Sequence, residues 1–205
     1  MALRGAGVIA NSIRSANFIR SDASKHFEAL WRAALAKPGL PTDEQIDRID
    51  FARLSPFLLK GRFTRSNGLR GAGARMDVDH AGAGIAERLN VDITGFEYFC
   101  RLLPDEKALI VDVFENLFDH ACGRWRVMFY RFDKGLKIAV DTTFFPYLCA
   151  NTGAERVCAL IVPANTPASA SDEGRAYSAE AGPAAEWINL GSGIPKDSML
   201  SLEPA

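Results

Sequence analysis

The sequence predicts an α+β domain in which helices cover one face of a five-stranded antiparallel sheet. The order of its segments leads to this class. Two strand-like runs come first, a group of helical segments follows, and three further strand-like runs come after Gly123. Strands joined by short turns pair antiparallel, and an aromatic sheet cannot leave both of its faces in water. The helical segments are therefore expected to pack on one face.

The composition indicates a single globular domain. The chain has 205 residues, of which 48% are hydrophobic and 24% are charged. A formal net charge of −1 gives no overall attraction to nucleic acid or to a membrane surface. No Cys-x-x-Cys pair is present, and no apolar run reaches the roughly 18 residues of a membrane span. We therefore expect a cytoplasmic protein that has no membrane partner, and the charge disfavours a nucleic-acid partner.

Two N-terminal regions precede the expected sheet. Residues 1–23 have several arginines and serines but no acid before Asp22, a composition shared by flexible arms and organelle transit peptides. The prediction is a flexible arm, and the transit peptide stays open. Residues 24–56 form a helical lead-in, in which Phe27 and Trp31 lie at the spacing of one helix face. We expect an amphipathic helix here.

The core is predicted over residues 57–163. Apolar and polar residues alternate over 57–65 and again over 74–79, which predicts a hairpin. Apolar residues at helical spacing predict the longest helix over 105–121. Residues 164–205 are rich in alanine, serine, glycine and proline, and we expect a flexible linker followed by a docked tail.

Several segments resemble one known family. The runs "FEALWRAAL", "IDRIDFARLSPFLLKGRF" and "AGAGIAERLNVDITGFEYFCRLL" are similar to the stand-alone PAS domains of alphaproteobacteria, over residues 24–163. The resemblance implies a five-stranded antiparallel sheet covered on one face by helices inserted between its second and third strands. It also implies a sensory or regulatory protein that is not an enzyme.

The resemblance implies binding of a small ligand or of a partner protein, and a signal passed on by protein association. Such a ligand would lie against the inner sheet face. The expected lining is aromatic and aliphatic: Phe114, Phe118, Phe129, Ile138, Val140 and Leu160. The sequence identifies neither the ligand nor any cofactor, and no metal site is expected.

A partner surface is expected from two groups of residues. Phe27 and Trp31 on the lead-in helix could form the contact of a homodimer or of a complex with a signalling protein. If the first and third strands are neighbours, as the resemblance implies, Arg62, Arg124 and Arg126 form one positive patch. That patch would suit an acidic partner or an anionic ligand, although a solvated sheet face explains the same charges.

Three alternative functions remain open. A ligand-free interaction module would use the same apolar residues as core and dimer contact. A small enzyme would require paired polar groups such as Asp141 facing a histidine. A flavin photoreceptor would use Cys100 in "YFCRLLP", but Phe99 and Pro104 stand where such sensors carry amide side chains. We therefore expect Cys100 to be a small buried core residue.

Overall fold

The computed structural model describes residues 18–35, 38–65, 73–102, 104–135, 137–163 and 176–196. The first 17 residues of the predicted arm, and residues 164–175 of the predicted linker, lie outside the described residues. No helix in the described ranges is long and apolar enough to cross a membrane.

The helices begin where the sequence provides capping groups. The Ser21 hydroxyl accepts a hydrogen bond from the Ser24 N–H at the start of the first helix, and Thr42 and Gln45 form a capping box at the second. The described residues contain four α-helices, which are α1 (Asp22–Ala34), α2 (Asp43–Ile46), α3 (Ala83–Leu89) and α4 (Pro104–Asp119). Short 3₁₀ turns cover Ser55–Phe57 and Tyr98–Arg101.

In the part of the chain that the structure describes, six strands form one antiparallel sheet. They are β1 (Leu58–Thr64), β2 (Arg75–Ala81), β3 (Gly123–Phe132), β4 (Lys137–Leu148), β5 (Glu155–Pro163) and β6 (Ala176–Ile188). The spatial order is β2-β1-β5-β4-β3-β6. The expected hairpin of β1 and β2 and the expected antiparallel α+β class are confirmed.

The sixth strand corrects the prediction of a linker and a docked tail. β6 pairs with β3 along almost its whole length, with Ala181 opposite Met128 and Trp187 opposite Arg124. Alanine, serine, glycine and proline have low strand propensity, so pairing with the aromatic strand β3 overrides local preference here. The sheet therefore has one strand more than the five predicted. Only Leu190, just after the strand, packs as the expected tail.

The sheet is covered on both faces. We call the face under α3 and α4 the inner face; it carries side chains such as Phe63, Met128 and Val140. The opposite, outer face carries Trp125 and Phe145 among others, and α1 and α2 pack on it. The helices expected on one face, α3 and α4, do share the inner face, whereas the lead-in helix, for which the sequence predicted no face, covers the outer one.

The first and third strands are not neighbours, which corrects the expectation taken from the resemblance. β5 and β4 lie between β1 and β3. The arginines of β1 and of β3 therefore belong to separate parts of the sheet.

Candidate functional site

The structure divides the predicted pocket between the two faces of the sheet. Phe114, Phe118, Ile138 and Val140 belong to the core on the inner face. Phe129 and Leu160 belong to the core on the outer face, so the prediction that they line the same pocket is wrong. Alternation along β3 places Phe129 opposite in direction to Met128. The six residues therefore do not surround one space.

The remaining space on the inner face is small. A void lies between α4 and the sheet, but it has no room for a water molecule. Its lining is Leu59, Met76, Tyr98, Phe114, Phe144 and Ile161. Phe114 meets Phe144 edge to face at 5.3 Å between ring centroids. The centre of the inner face is thus packed core.

The predicted aromatic partner contacts are also core. Phe27 and Trp31 are 0% exposed, because α1 lies flat on the outer face. Trp31 stacks on Phe145 at 5.0 Å, and Phe27 packs against the same ring at 5.1 Å. Neither side chain is available to a partner while α1 is docked, which corrects their expected role as an open contact.

The predicted positive patch does not form. Arg62 is exposed on the outer face of β1, where its guanidinium contacts Asp79 at 3.4 Å. Other basic residues of the same region are neutralised in the same manner: Lys60 pairs with Asp47, and Arg65 pairs with Asp119 and Glu155. This region is a solvated surface of mixed charge.

Arg124 and Arg126 are instead buried on the inner face. Each is only 4% exposed. They are two residues apart on β3, so their side chains lie side by side on one face. Opposite them stand Phe144 and Thr142 on β4, and Trp187 and Ala185 on β6. We call Arg124 and Arg126 the arginine pair.

The charges of the arginine pair are compensated only in part, by the attraction of Glu186 for Arg124 and of Glu106 for Arg126. Within the described part of the chain, neither guanidinium forms an ion pair, and the Nε atom of each is buried without a hydrogen bond. Arg124 lies over the Trp187 ring at 4.4 Å, which offsets part of its desolvation. Among the described residues, no aromatic ring lies over Arg126 in this manner.

Burial acts on the charge of both arginines. It lowers the pKa of Arg124 to about 10, and repulsion by Arg126 lowers that pKa further. Burial also lowers the pKa of Arg126, against the attraction of Glu106 and Tyr98. Both guanidinium groups are still charged at neutral pH. Placing such charges out of water costs several kcal/mol each unless an opposite charge is nearby.

Polar groups surround the arginine pair. The buried Thr142 hydroxyl has no hydrogen-bond partner among the described residues, and Thr142 is opposite Arg126 in the strand register. The Tyr98 and Tyr130 hydroxyls contact each other at 3.1 Å on the same face. Burial raises the pKa of Tyr98, so its hydroxyl stays protonated. Glu106 accepts a hydrogen bond from the Ala181 N–H at 2.9 Å and forms no ion pair in the described structure.

The buried polar groups of the outer face are arranged differently. Asp141 is 3% exposed, and its two oxygens accept hydrogen bonds from the Ser21 N–H and the Trp125 indole, each at 2.7 Å. The Ser24 hydroxyl hydrogen-bonds to the Thr143 hydroxyl. This set, which we call the α1 anchor, fixes the N-terminus of α1 to β4. Asp141 therefore faces Ser21 and Trp125 rather than a histidine.

The cysteines and histidines form no cluster suited to chemistry. Cys100 is exposed, which corrects the expectation of a buried core residue. Cys122 and Cys158 are buried, and burial raises the pKa of each thiol to about 12. No three His, Cys, Asp or Glu side chains in the described ranges converge on a point where they could hold a metal ion.

Sequence reasoning missed the polar groups around the arginine pair. It named Arg124 and Arg126, but as exposed partner residues. The signal that was present is their position in "RWRVMFYRF", where arginines alternate with large apolar residues in a strand whose two faces are both covered. Comparison with known proteins adds no assignment: no family model matches the sequence, and no curated protein matches it significantly.

Proposed function

We propose that this chain is a PAS-like sensory or regulatory domain that binds a small ligand at the arginine pair. Its architecture supports the proposal: helices inserted between β2 and β3 cover the inner face of an antiparallel sheet, and an amphipathic helix precedes the core. The resemblance to stand-alone PAS domains implies the same arrangement, with the sixth strand as an addition of this chain.

The observation that carries the proposal is the burial of two charged groups that form no ion pair among the described residues, although Glu186 and Glu106 attract them without direct contact. The described chain could be more stable with apolar side chains at positions 124 and 126, because replacing buried charges by hydrophobic residues is often stabilising. Native proteins tolerate such costs mainly where a function uses the groups concerned. Arg124 and Arg126 do not line the void between α4 and the sheet, but Phe144, which lines it, stands opposite Arg124 on the neighbouring strand.

The ligand site is connected to the outer face through one strand. Thr142 points to the inner face beside Arg126, whereas its neighbours Asp141 and Thr143 hold the α1 anchor on the other side. A ligand that shifts β4 at Thr142 also strains the contacts of Asp141. Binding would therefore change the population of the docked α1 helix, and the signal would pass to another protein or a second copy by association.

A second candidate function is favoured by the packed void on the inner face. A domain whose inner face admits no water molecule can act as a ligand-free interaction module that forms a homodimer or binds a signalling protein. In that case the two buried arginines would lower the stability of the folded chain, and no ligand would compensate for their burial.

Native mass spectrometry of the freshly purified full chain separates the two candidates. We expect a bound small molecule on the wild-type protein and its loss from the Arg126→Met variant. Arg62→Met is the matched control, because it removes an exposed arginine of the opposite face. A protein that carries no added mass in any of the three forms, and that runs at dimer mass, would contradict ligand binding and support the interaction module.

A further inference from the structure

The aromatic packing next to the arginine pair limits the size of a ligand, because Phe144 stands opposite Arg124 and also lines the void between α4 and the sheet. The neighbouring void is closed by Phe114, Phe144 and Tyr98 and does not accept a water molecule. A large ring system such as a flavin or haem would have to displace several of these packed aromatic side chains, each of which contributes several kcal/mol to the core. Only a compact group can reach the arginines without unpacking α4.

The hydrogen-bonding groups limit the chemistry of the ligand. A guanidinium offers only hydrogen-bond donors. The Nε–H groups of Arg124 and Arg126 are buried and have no acceptor among the described residues, so a ligand that supplies acceptors would satisfy them. The Thr142 hydroxyl, which is buried without a partner among the described residues, can donate as well. A ligand rich in acceptors and carrying negative charge satisfies these groups, whereas a neutral or cationic ligand leaves the guanidinium charges uncompensated.

The two arginines differ in how rigidly they are held. The Trp187 ring under Arg124 restricts the plane of that guanidinium. A planar fork held in this manner is suited to bidentate contact with the oxygens of a carboxylate or phosphate group. Arg126, beside Thr142, can then contact a second edge of the same group.

From these restrictions we infer that the ligand is a compact oxyanion, either a small carboxylate or a phosphate group, held between Arg124 and Arg126. The inference rests on the proposed function, because it names the chemical class of the ligand at that same site. Charge and acceptor oxygens are shared by the two classes, and the experiment distinguishes between them.

The test is the thermal unfolding of the full chain in increasing concentrations of sodium phosphate, sodium malonate and sodium chloride at matched ionic strength. A ligand that binds only the folded state raises the midpoint in a saturable way, which gives an apparent dissociation constant. We expect phosphate or malonate to act beyond chloride, and we expect the apparent affinity to fall about tenfold or more in Arg126→Met. Arg62→Met should respond as the wild-type chain does.

The outcomes are distinct. A response to phosphate alone identifies the phosphate class, and a response to malonate alone identifies the carboxylate class. Equal effects of all three salts, or equal losses in Arg126→Met and Arg62→Met, would overturn the inference. If Arg126→Met does not fold, Arg126→Lys keeps the charge, loses the fork, and should bind more weakly than the wild-type chain.

Failure of this inference is distinguishable from failure of the proposed function. A neutral small molecule retained in the native mass spectrum, together with no response to either anion, would leave ligand binding intact and overturn the oxyanion. No retained molecule and no anion response would overturn both.

Discussion

The two faces of the sheet treat buried polar groups in opposite ways. On the outer face, the Asp141 carboxylate has a hydrogen-bond donor for each oxygen, and the Ser24 and Thr143 hydroxyls bond to each other. On the inner face, Arg124 and Arg126 are as deeply buried, yet their charges lack partners in the described structure. The outer face has exceptions, since the Trp31 indole N–H, the Arg156 Nε and the Ser178 hydroxyl have no hydrogen-bond partner there. Of these three groups only Arg156 is charged, and its guanidinium pairs with Asp79 at 2.7 Å.

The difference indicates separate purposes for the two faces. Satisfied polar groups at an interface fix one arrangement and add to its stability, as expected where α1 must dock in a single position. Unsatisfied charges reduce stability and are retained where something outside the chain completes them. The outer face thus has the structural role of holding α1, and the proposed ligand site lies on the inner face at β3.

The largest expected effect concerns the aromatic packing of α1. Replacing Trp31 by alanine removes a fully buried ring that stacks on Phe145, and should lower the free energy of unfolding by about 3 to 5 kcal/mol. Chemical denaturation measures this loss. Trp31→Phe is the control: it retains a ring, removes an unpaired N–H, and should lose clearly less. Equal losses in the two variants would contradict the packing role.

The next effect concerns the α1 anchor. Asp141→Ala leaves the Ser21 N–H and the Trp125 indole buried without an acceptor, and should cost about 2 to 4 kcal/mol of unfolding free energy. Asp112→Ala, at an exposed position of α4, should stay within about 0.5 kcal/mol of the wild-type chain. If both variants lose a similar amount of unfolding free energy, Asp141 contributes no more to stability than an exposed aspartate, which would contradict its role in the α1 anchor.

The arginine pair should respond with the opposite sign. In the absence of anions, Arg126→Met should leave the free energy of unfolding unchanged or raise it by about 1 to 3 kcal/mol, because the buried charge is removed. Arg62→Met should change it by no more than about 0.5 kcal/mol. Destabilisation of Arg126→Met by more than about 1 kcal/mol, in a buffer without oxyanions, would show that the chain itself compensates the charge.

The smallest expected effect concerns the rate at which the cysteine thiols are alkylated. Each face of the sheet has one buried cysteine, so the two rates can be compared between the faces. Cys122 lies in the inner core and Cys158 in the outer core, and burial raises the pKa of both to about 12. Hydrogen bonds from the Thr152 side chain and from backbone N–H groups lower the pKa of Cys149. Alkylation at pH 8, followed by peptide mass spectrometry, should therefore label Cys149 and the exposed Cys100 well before the two buried thiols.

The same shifts fix the direction of a pH effect. The unfolded thiols ionise near 9.0, whereas the folded ones ionise near 12, so their contribution to stability is present below pH 9 and is lost as the pH rises towards 12. Cys158→Ala should weaken this alkaline loss. Early labelling of Cys122 but not Cys158 would indicate that the inner face opens more readily than the outer face.

The first five strands and the long helix were predictable because their patterns are strong. The hairpin of β1 and β2 and the helix α4 follow from alternation and helical spacing. β6 was not predictable, since its composition is that of a linker and its stability comes from pairing with β3. The residues of β6 do not indicate by themselves that β3, far away in the sequence, pairs with them.

The candidate site was predicted only in part, for a physical reason. In β3, residues of both parities are buried, so alternation could not indicate which side faced which helix. Arg124 and Arg126 were taken as solvent-facing because arginine is rarely buried. Phe129 and Leu160 were assigned to the wrong face for the related reason that apolar side chains occupy both faces.

The most direct test of the binding side is nuclear magnetic resonance of the full chain labelled at arginine Nε, titrated with phosphate and with malonate. If the arginine pair binds an oxyanion, the Nε–H signals of Arg124 and Arg126 shift saturably with at least one of these anions. The signal of the exposed Arg62 should follow ionic strength alone. Unshifted signals for the arginine pair, or shifts shared equally by all arginines, would contradict the account.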